Sequence, residues 1–511
     1  SSAASDVYKR QVVFYLISTA YFIKFNKNVY VISGKTETYY DDEFINQLPD
    51  MPEEYNHKLK RAFITEKTYK PLMYGHPFMV IGNVNTNTIL KQQGFEMFDD
   101  EFHGQHGPLN VSKIRHENKP TKDFVEAGSK LYKHNDDFNG GQQEGIGFYQ
   151  TTQKDGKRCS TAKAYLVPAL ERPNLTVITE ANVNKILIEN ENASGVEYLD
   201  PHGSLQTISA SKEVLLCSGA FGSPQILLRS GVGPREEIEK HGIEHKVELP
   251  GVGKNLQDHI DYLTVHKYDS MQFIGTSIKA FLIKYPLEVM KYILKKTGLF
   301  TSTIAEAGGF IKSSELKEIP DIQLHFAPAM VVDHGRTQVW GHGFSCHSCL
   351  LRPKSRGTVT LKSADPLEDP LIDPRFLSHP DDMKDMIKGY KKMMGILNTE
   401  PVNKYIKQHC QRPIDIKDDA DIEKAIREGA DTVYHPVGTC KMGNDPLAVV
   451  DNELRVHGIS GLRVADASIM PTLTSGNTNA PSIMIGEKCA LMMLKAAEEK
   501  RDAAEEKRDA A

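Results

Sequence analysis

The segment DTVYHPVGTCKMG, residues 431–443, places one histidine between a tyrosine and a proline, just before a glycine-bearing turn. An imidazole has a pKa near neutrality, so it can take a proton from a hydroxyl group and release it again. A lone histidine is more often a surface residue or a hydrogen-bonded core residue. His435 therefore needs a second feature before it becomes a candidate base.

That second feature lies near the end of the chain, in LRVADASIMPTLTSGNTNAPSIMIGEK. The pattern predicts a strand over Leu462–Ala465, Asp466 at its carboxyl end, a polar loop that contains Asn477, and a helix that begins near Pro481. Ligands of α/β sheets bind at the carboxyl ends of strands, and partial positive charge collects at a helix N-terminus. The two turns together favour a functional role for His435.

A third segment, SGAFGSPQILLRSGVG, follows the apolar run KEVLLCSG directly. Gly219 and Gly222 allow the backbone to approach another group closely, and Ser223-Pro224 can start a helix. A strand, a glycine turn and a helix N-terminus together make a suitable anion-binding site. The pattern is common in α/β proteins, and many such turns bind nothing.

Composition restricts the classes of protein that fit. The chain has 511 residues, 40% of them hydrophobic and 25% charged, with a formal net charge of −5. This predicts two or more globular domains and gives no electrostatic reason to expect a nucleic acid or an anionic membrane as partner. The longest early apolar run, Val12–Phe25, is short for a membrane span, so we expect a buried helix or strand there and no transmembrane segment.

The cysteines indicate the compartment. Seven cysteines, an odd number spread thinly over the chain, argue against a disulfide framework and for the cytoplasm. The pair Cys346 and Cys349 forms one C-x-x-C in an apolar strand, which is half of a tetrahedral zinc site, so we expect no metal.

The patterning predicts an α/β protein, α+β overall. The run LTVITEANVNKILIE predicts two strands, a hairpin turns at Pro201-His202-Gly203, and KEVLLCSG predicts a strand buried on both faces of a layered sheet. Residues 270–430 mix helical stretches such as KAFLIKYPLEVMKYILKK with alternating strands, which predicts a second domain built on an antiparallel sheet.

These motifs resemble the glucose–methanol–choline (GMC) oxidoreductases, and within them the choline dehydrogenase-like branch. The resemblance runs from about Asp100 to Leu494. It is carried by the segments DEFHGQHGPLNVS, NDDFNGGQQEGIGFYQTTQKDGKRCSTAKAYL, GAFGSPQILLRSGVG, LPGVGKNLQDH, LRPKSRGTVTLKSADPLEDPLIDP, YHPVGTCKMG and DASIMPTLTSGNTNAPSIMIGEK.

The resemblance implies FAD as cofactor and the oxidation of a small alcohol to an aldehyde. His435 matches the family's general base, and Asn477 matches a second position that holds the substrate oxygen by a hydrogen bond. The resemblance further implies cofactor contacts at Val183 for the adenine, Ser218 and Gly219 for the dinucleotide, Asp466 and Ala467 for the pyrophosphate, and Asn479 and Pro481 for the isoalloxazine.

Three features stay open at this point. The electron acceptor is a quinone or oxygen, and a quinone would associate a cytoplasmic protein with a membrane. The particular alcohol and the oligomeric state have no signature in the sequence.

We expect a discontinuous, incomplete FAD-binding Rossmann-like domain plus a substrate domain. The predicted segments are 1–11 (a cloning or assembly scar), 12–100 (foreign α/β), 101–180 (cap and substrate domain), 181–265 (FAD domain), 266–430 (substrate domain), 431–495 (FAD domain with the catalytic residues) and 496–511 (charged helical tail).

The first hundred residues depart from the family pattern. The chain contains no G-x-G-x-x-G, the turn that seats a dinucleotide pyrophosphate. The segment around Glu66 and Lys67 loosely resembles the nucleotide-sugar-binding end of fucosyltransferase-like enzymes. A chimeric, truncated chain is therefore one hypothesis and a divergent native N-terminus is another. The alternative functions are a glycosyltransferase-like N-terminal module and an inactive remnant that binds no flavin.

The missing glycine turn yields a prediction. We expect this polypeptide to retain FAD weakly or not at all, because it lacks the glycine motif that would supply a helix N-terminus and backbone amides to the pyrophosphate. The visible absorbance spectrum of the purified protein measures this. A stoichiometric flavin band would contradict the prediction.

Overall fold

The computed structural model describes residues 31–32, 102–104, 107–335, 337, 339–406, 408–411 and 418–509. The segments predicted over 1–11 and 12–100, including Glu66 and Lys67, lie outside the described residues except for one two-residue strand. The strands, in chain order, are β1 Val31–Ile32, β2 Gly145–Phe148, β3 Gln153–Lys154, β4 Lys157–Arg158, β5 Asn182–Glu189, β6 Asn192–Leu199, β7 Leu205–Ser209, β8 Val214–Leu216, β9 Val232–Gly233, β10 Val247–Glu248, β11 Ile260–Lys267, β12 Gly275–Thr276, β13 Ala307–Ile311, β14 Ile322–Ala327, β15 Gly341–Leu350, β16 Thr358–Thr360, β17 Leu371–Asp373, β18 Gln408–Gln411, β19 Asp431–Thr432 and β20 Leu462–Val464.

Helices separate and cover these strands. The α-helices are α1 Lys119–Ser129, α2 Gly219–Arg229, α3 Arg235–Glu239, α4 Tyr285–Lys295, α5 Pro380–Leu397, α6 Asp419–Gly429 and α7 Asn479–Asp509. Two π-helical turns span Ala162–Leu166 and Ala280–Lys284, and 3₁₀ turns span Val167–Ala169, Leu299–Thr301, Asp333–Gly335, Val402–Tyr405 and Ala467–Ile469.

A parallel sheet of order β1-β8-β20 forms the first layer. Both β1 and β20 pair with β8 in parallel, so the apolar strand KEVLLCSG is central, as its continuous apolar pattern predicted. The carboxyl ends of β8 and β20 therefore lie side by side, which brings Ser218 and Asp466 to one edge. The adjoining antiparallel sheet, β5-β6-β7, contains the hairpin predicted at Pro201-His202-Gly203.

The second domain is built on a larger antiparallel sheet of order β18-β11-β15-β14-β13-β2, with β12 and β19 attached to it. Its core includes the fully buried aromatic rings of Phe124, Phe326 and Phe344. The predicted antiparallel sheet is thus present. Its strand β11, Ile260–Lys267, crosses the boundary that the sequence suggested between residues 265 and 266.

One predicted strand is absent from the described residues. The run LTVIT, residues 175–179, forms no ladder, and Val177 and Ile178 are exposed. β-branched residues favour extended backbone, but a strand also needs a neighbour that supplies hydrogen bonds.

At the C-terminal end of the chain, α7 continues without a break through the charged repeat to Asp509. Among the described residues, no helix combines the length and the apolar composition that a membrane span requires.

A proline inside α2 links this helix to the segment that carries His435. Pro224 has no N–H, so it cannot donate to the carbonyl of Ala220 one turn earlier. The hydroxyl of the fully buried Thr439 donates to that carbonyl instead, at 2.6 Å. The bond satisfies a buried acceptor and fixes the 435–443 segment against the helix that begins at Gly219.

This bond can be tested by a double-mutant cycle. Thr439→Val should lower the free energy of unfolding by about 1–3 kcal/mol, because it leaves the buried Ala220 carbonyl without a donor. Thr439→Ser keeps the hydroxyl and is the matched control. Adding Pro224→Ala to Thr439→Val restores a backbone donor and should recover part of the loss in urea unfolding. Equal stability of the Val and Ser variants would contradict the account.

Candidate active site

The turn that carries His435 is held to the start of β11 by one buried carboxylate. Asp258 Oδ1 accepts the backbone N–H of His435 at 2.9 Å, and Asp258 Oδ2 accepts the hydroxyl of Thr432 at 2.5 Å. Between them, Tyr434 adopts φ +71°, a left-handed conformation that is costly for a residue with a side chain. The carboxylate bonds on both sides of Tyr434 hold this strained turn and point the His435 ring inward.

A second histidine fixes the tautomer of His435. His259 Nε2 lies 3.0 Å from the carbonyl of Thr474 and 3.2 Å from that of Leu351, and because carbonyls only accept, Nε2 carries the proton. Neutral His259 therefore accepts at Nδ1. Across the 2.8 Å contact between the two Nδ1 atoms, His435 must donate. It follows that the lone pair of neutral His435 is on Nε2.

Asn477 lies at that lone pair. Its Nδ2 is 3.2 Å from His435 Nε2, while its Oδ1 accepts from Gln323 Nε2 at 3.2 Å. Gln323 is fully buried and also contacts the hydroxyl of Tyr149, which donates to the carbonyl of Leu324. This chain of bonds sets which way the Asn477 amide faces. The structure thus brings the two predicted residues together, with an acceptor nitrogen and a donor amide side by side.

The loop before Asn477 is anchored at several points. Gln257 accepts the Leu473 N–H at 3.2 Å and donates to the Pro471 carbonyl at 3.1 Å. Gln143 Nε2 donates to the carbonyl of Ser475 at 2.5 Å, and Arg352 donates to its hydroxyl. The side chain of Asn477 is exposed while His435 is buried, so a small molecule can reach the pair from the Asn477 side.

Burial sets the protonation of the histidines. Loss of solvent lowers the pKa of His435 well below its usual value, and the neighbouring His259 and His325 lower it further. Burial likewise lowers the pKa of His259 to about 3 and that of His325 to about 4. These three imidazoles are therefore neutral at neutral pH, which keeps the Nε2 lone pair of His435 available.

A carboxylate–histidine pair lies next to this group. His347 Nδ1 is 2.5 Å from Asp261 Oδ2, and the rings of His347 and His325 meet edge to face at 6.1 Å. The His325 ring is 5.7 Å from that of Tyr149, so the pair connects through ring contacts to the Gln323–Asn477 chain. Asp261, His325 and His347 lie in strands β11, β14 and β15 of the antiparallel sheet.

The predicted dinucleotide contacts form a second group at the edge of the parallel sheet. Asp466 Oδ2 accepts the Gly219 N–H at 3.0 Å and the Ser223 hydroxyl at 2.5 Å, and its Oδ1 accepts the Ser468 N–H at 2.7 Å. Ala467 follows it in the chain and is buried. Burial raises the pKa of Asp466, although these hydrogen bonds oppose the change.

Val183 lies apart from both groups. Its carbonyl accepts from Arg229 at the C-terminal end of α2, whereas Gly219 starts that helix, about 15 Å away at ~1.5 Å per residue. Asn479 and Pro481 lie in the first turn of α7, two and four residues after Asn477. The predicted cofactor residues thus extend from the far end of α2 to the loop beside His435.

Several functional candidates were missed in the sequence. Asp258 holds the His435 turn, His259 fixes the tautomer of His435, and Gln323 fixes the orientation of the Asn477 amide. None of the three was identified from the sequence. Asp258-His259 stands inside the quoted motif LPGVGKNLQDH, so an acid beside a histidine was an available signal. Gln323 lies in an apolar strand, and only its contact with Asn477 distinguishes it.

Comparison with known proteins identifies the family. Models of the N- and C-terminal parts of GMC oxidoreductases match residues 54–261 and 353–486. An alcohol dehydrogenase [acceptor] of Pseudomonas putida is 45% identical over 407 residues, covering 79% of this chain and 73% of that protein. The oxygen-dependent choline dehydrogenase of Escherichia coli K12 is 40% identical over 408 residues, with the same shares covered.

The chain belongs to the GMC oxidoreductase family.

A solved structure agrees with this family assignment. A formate oxidase of Aspergillus oryzae, studied for its FAD modification, has a TM-score of 0.71 at 25% identity, covering 78% of this chain and 74% of that one. The chain is thus an FAD-dependent oxidoreductase of this family. The N-terminal family match begins at residue 54, inside the segment interpreted as foreign, and none of these findings supports the glycosyltransferase-like hypothesis.

The residues at the sheet edge fit such a cofactor. Ser218 is only 3% exposed, yet its hydroxyl has no hydrogen-bond partner in the part of the chain that the structure describes. Next to it, Gly219 adopts φ +76° at the N-terminus of α2, and a Cβ there would meet nothing within 4 Å. An unsatisfied donor beside open space at a helix N-terminus suits a phosphate group.

The buried histidines predict a pH dependence of stability. His259 binds a proton only near its lowered pKa of about 3, whereas the unfolded chain binds it near 6.5, so stability falls as pH falls between these values. His259→Gln should therefore flatten the decline of the thermal midpoint across this window.

The matched control is His202→Gln on the exposed hairpin, which should leave the slope unchanged. A slope in His259→Gln as steep as in the unmodified protein would contradict the prediction.

Proposed function

We propose that this protein oxidises a small primary alcohol to an aldehyde, as a choline dehydrogenase-like enzyme, with His435 as the general base and Asn477 as its partner. The observation that carries the proposal is the acceptor nitrogen of His435 next to the donor amide of Asn477. An alcohol needs such a pair, because its hydroxyl must donate a proton while its oxygen accepts a hydrogen bond.

His435 takes the proton of the substrate hydroxyl. A substrate hydroxyl that displaces the 3.2 Å Asn477–His435 contact donates its O–H to Nε2, and its oxygen accepts from Asn477 Nδ2. The Nδ1–H bond to His259 persists throughout, so the ring does not rotate as Nε2 gains the proton. Negative charge that develops on the oxygen is stabilised by the amide, which does not titrate.

Bound FAD would supply the acceptor for the hydride that leaves the substrate carbon. Ser218 and Gly219 would hold the dinucleotide at the N-terminus of α2, beside Asp466 and Ala467. Val183 would contact the adenine, and Asn479 and Pro481 the flavin ring beside Asn477. Burial lowers the pKa of His435, so the base is not protonated before the alcohol arrives.

The electron acceptor and the location form the second part of the proposal. Six cysteines whose side chains the structure describes are free and buried, which supports a reducing compartment such as the cytoplasm: Cys159, Cys217, Cys346, Cys349, Cys440 and Cys489. A quinone or oxygen would accept the electrons, and a quinone would bring the protein to a membrane. Release of hydrogen peroxide during turnover identifies oxygen, whereas anaerobic reduction of a quinone identifies the alternative.

The role of His435 has a direct test. In protein supplied with excess FAD, His435→Gln should lower kcat for primary alcohols by about 10²–10⁴-fold, because it removes the proton acceptor. Flavin content should stay the same. His202→Gln, an exposed histidine remote in sequence from the site, should turn over as the unmodified protein does.

The pH profile separates a base from a merely structural residue. The acid limb of kcat/KM should lie below the ordinary histidine range, in keeping with the lowered pKa of His435. That limb should be absent from the residual activity of His435→Gln. Unchanged turnover of choline and of simple primary alcohols in this variant would remove His435 from the mechanism.

A further inference from the structure

The helical segment Ala280–Lys295 has its amphipathic pattern reversed. A surface helix of a globular protein normally turns its apolar stripe to the core. Here the stripe that faces the protein consists of Ala280, Lys284, Glu288 and Tyr292, one residue every four. The large apolar side chains of the same segment and its surroundings are exposed instead: Ile278, Phe281, Leu282, Ile283, Leu287, Met290, Ile293, Leu294, Phe300 and Trp340.

Polar contacts hold this helix in place. Lys284 Nζ donates to the carbonyls of Met271 and Phe273 at 2.7 and 2.9 Å. Glu288 is buried and accepts the Leu299 N–H at 2.7 Å. Two of the inward side chains are thus engaged in hydrogen bonds to neighbouring backbone, which fixes the helix with its apolar face outward. That face has no partner among the described residues.

Exposure on this face is extensive. Leu282 and Leu294 are each 73% exposed, two residues separated by about three turns of one helix. Trp340 is 63% exposed, and its ring lies 6.4 Å from that of Phe281. Contiguous apolar surface on this scale marks an interaction site in proteins, whereas scattered single residues do not.

Charge decides what the face binds. Lys279, Lys291 and Lys295 are exposed along it, and the single carboxylate of the segment, Glu288, is turned inward and paired with Lys291. Lysines beside exposed Leu, Ile and Phe with a tryptophan at the margin are typical of helices that lie in a membrane interface. In a symmetric dimer the same lysines would oppose one another, which disfavours a second copy.

We propose that Ala280–Lys295, with Trp340 at its edge, docks the protein on an anionic lipid bilayer. The helix lies in the plane of the interface, with its leucine and isoleucine side chains among the acyl chains and its lysines at the headgroups. The whole-chain net charge of −5 gave no reason to expect this, because the positive charge is local. The proposal concerns binding and holds whichever alcohol is oxidised.

Vesicle flotation of the full chain tests the proposal. The unmodified protein should float with vesicles of phosphatidylcholine and phosphatidylglycerol in equal amounts, and less with phosphatidylcholine alone. The double variant Leu282→Gln/Leu294→Gln should partition at least about tenfold less, because two exposed leucines no longer enter the bilayer. Leu205→Gln, a 59% exposed leucine on β7, is the matched control and should float like the unmodified protein.

Two outcomes would overturn the docking surface. Unmodified protein that stays at the bottom of the gradient with anionic vesicles shows that this face binds no bilayer. A dimer in light scattering that the double variant converts to a monomer, with flotation of both proteins equal, assigns the face to a second copy of the chain.

The role of charge has its own test. Lys279→Glu/Lys295→Glu should weaken flotation only with anionic vesicles, and an equal effect with neutral vesicles would contradict the role of charge.

Discussion

The hydrogen bond between the two Nδ1 atoms of His259 and His435 is the contact on which the site depends. Two carbonyl groups require His259 to carry its proton on Nε2, so its Nδ1 accepts. Across the 2.8 Å contact, His435 must therefore carry its proton on Nδ1. The basic atom of His435 is thereby fixed on the side of Asn477. A carbonyl or a carboxylate in place of His259 would also accept from Nδ1–H. A buried carboxylate, however, would raise the pKa of His435 and fill its lone pair with a proton.

The site also depends on the meeting of two domains. His435 follows β19, which pairs with β11 of the antiparallel sheet, and Thr439 a few residues later bonds to α2, which begins at the edge of the parallel sheet. Asn477 precedes α7, yet its amide is oriented by Gln323 from the antiparallel sheet. Neither domain alone would hold the pair. The position of His435 next to Asn477 therefore depends on contacts from both domains.

The sequence predicted the fold class, the central apolar strand, the antiparallel second domain and the pairing of His435 with Asn477, because each has a local pattern or a motif. It did not predict the contacts that set protonation. Gln323 is a polar residue in an apolar strand, and its role exists only because β14 passes beside the 471–478 loop. The run at 175–179 has the residues of a strand and no ladder, since β propensity does not supply a partner. The net charge of the whole chain likewise gave no indication of the local positive charge along Ala280–Lys295.

The chain contains a single tryptophan, and it lies at the margin of the exposed apolar helix. Indole emission from this protein therefore comes from one known place, next to Phe281 and far along the chain from His435. The wavelength of that emission depends on the polarity around the ring, so contact with any nonpolar phase would shift it to the blue. The fold thus contains an intrinsic optical sensor of its own surface, readable without a label and independent of turnover.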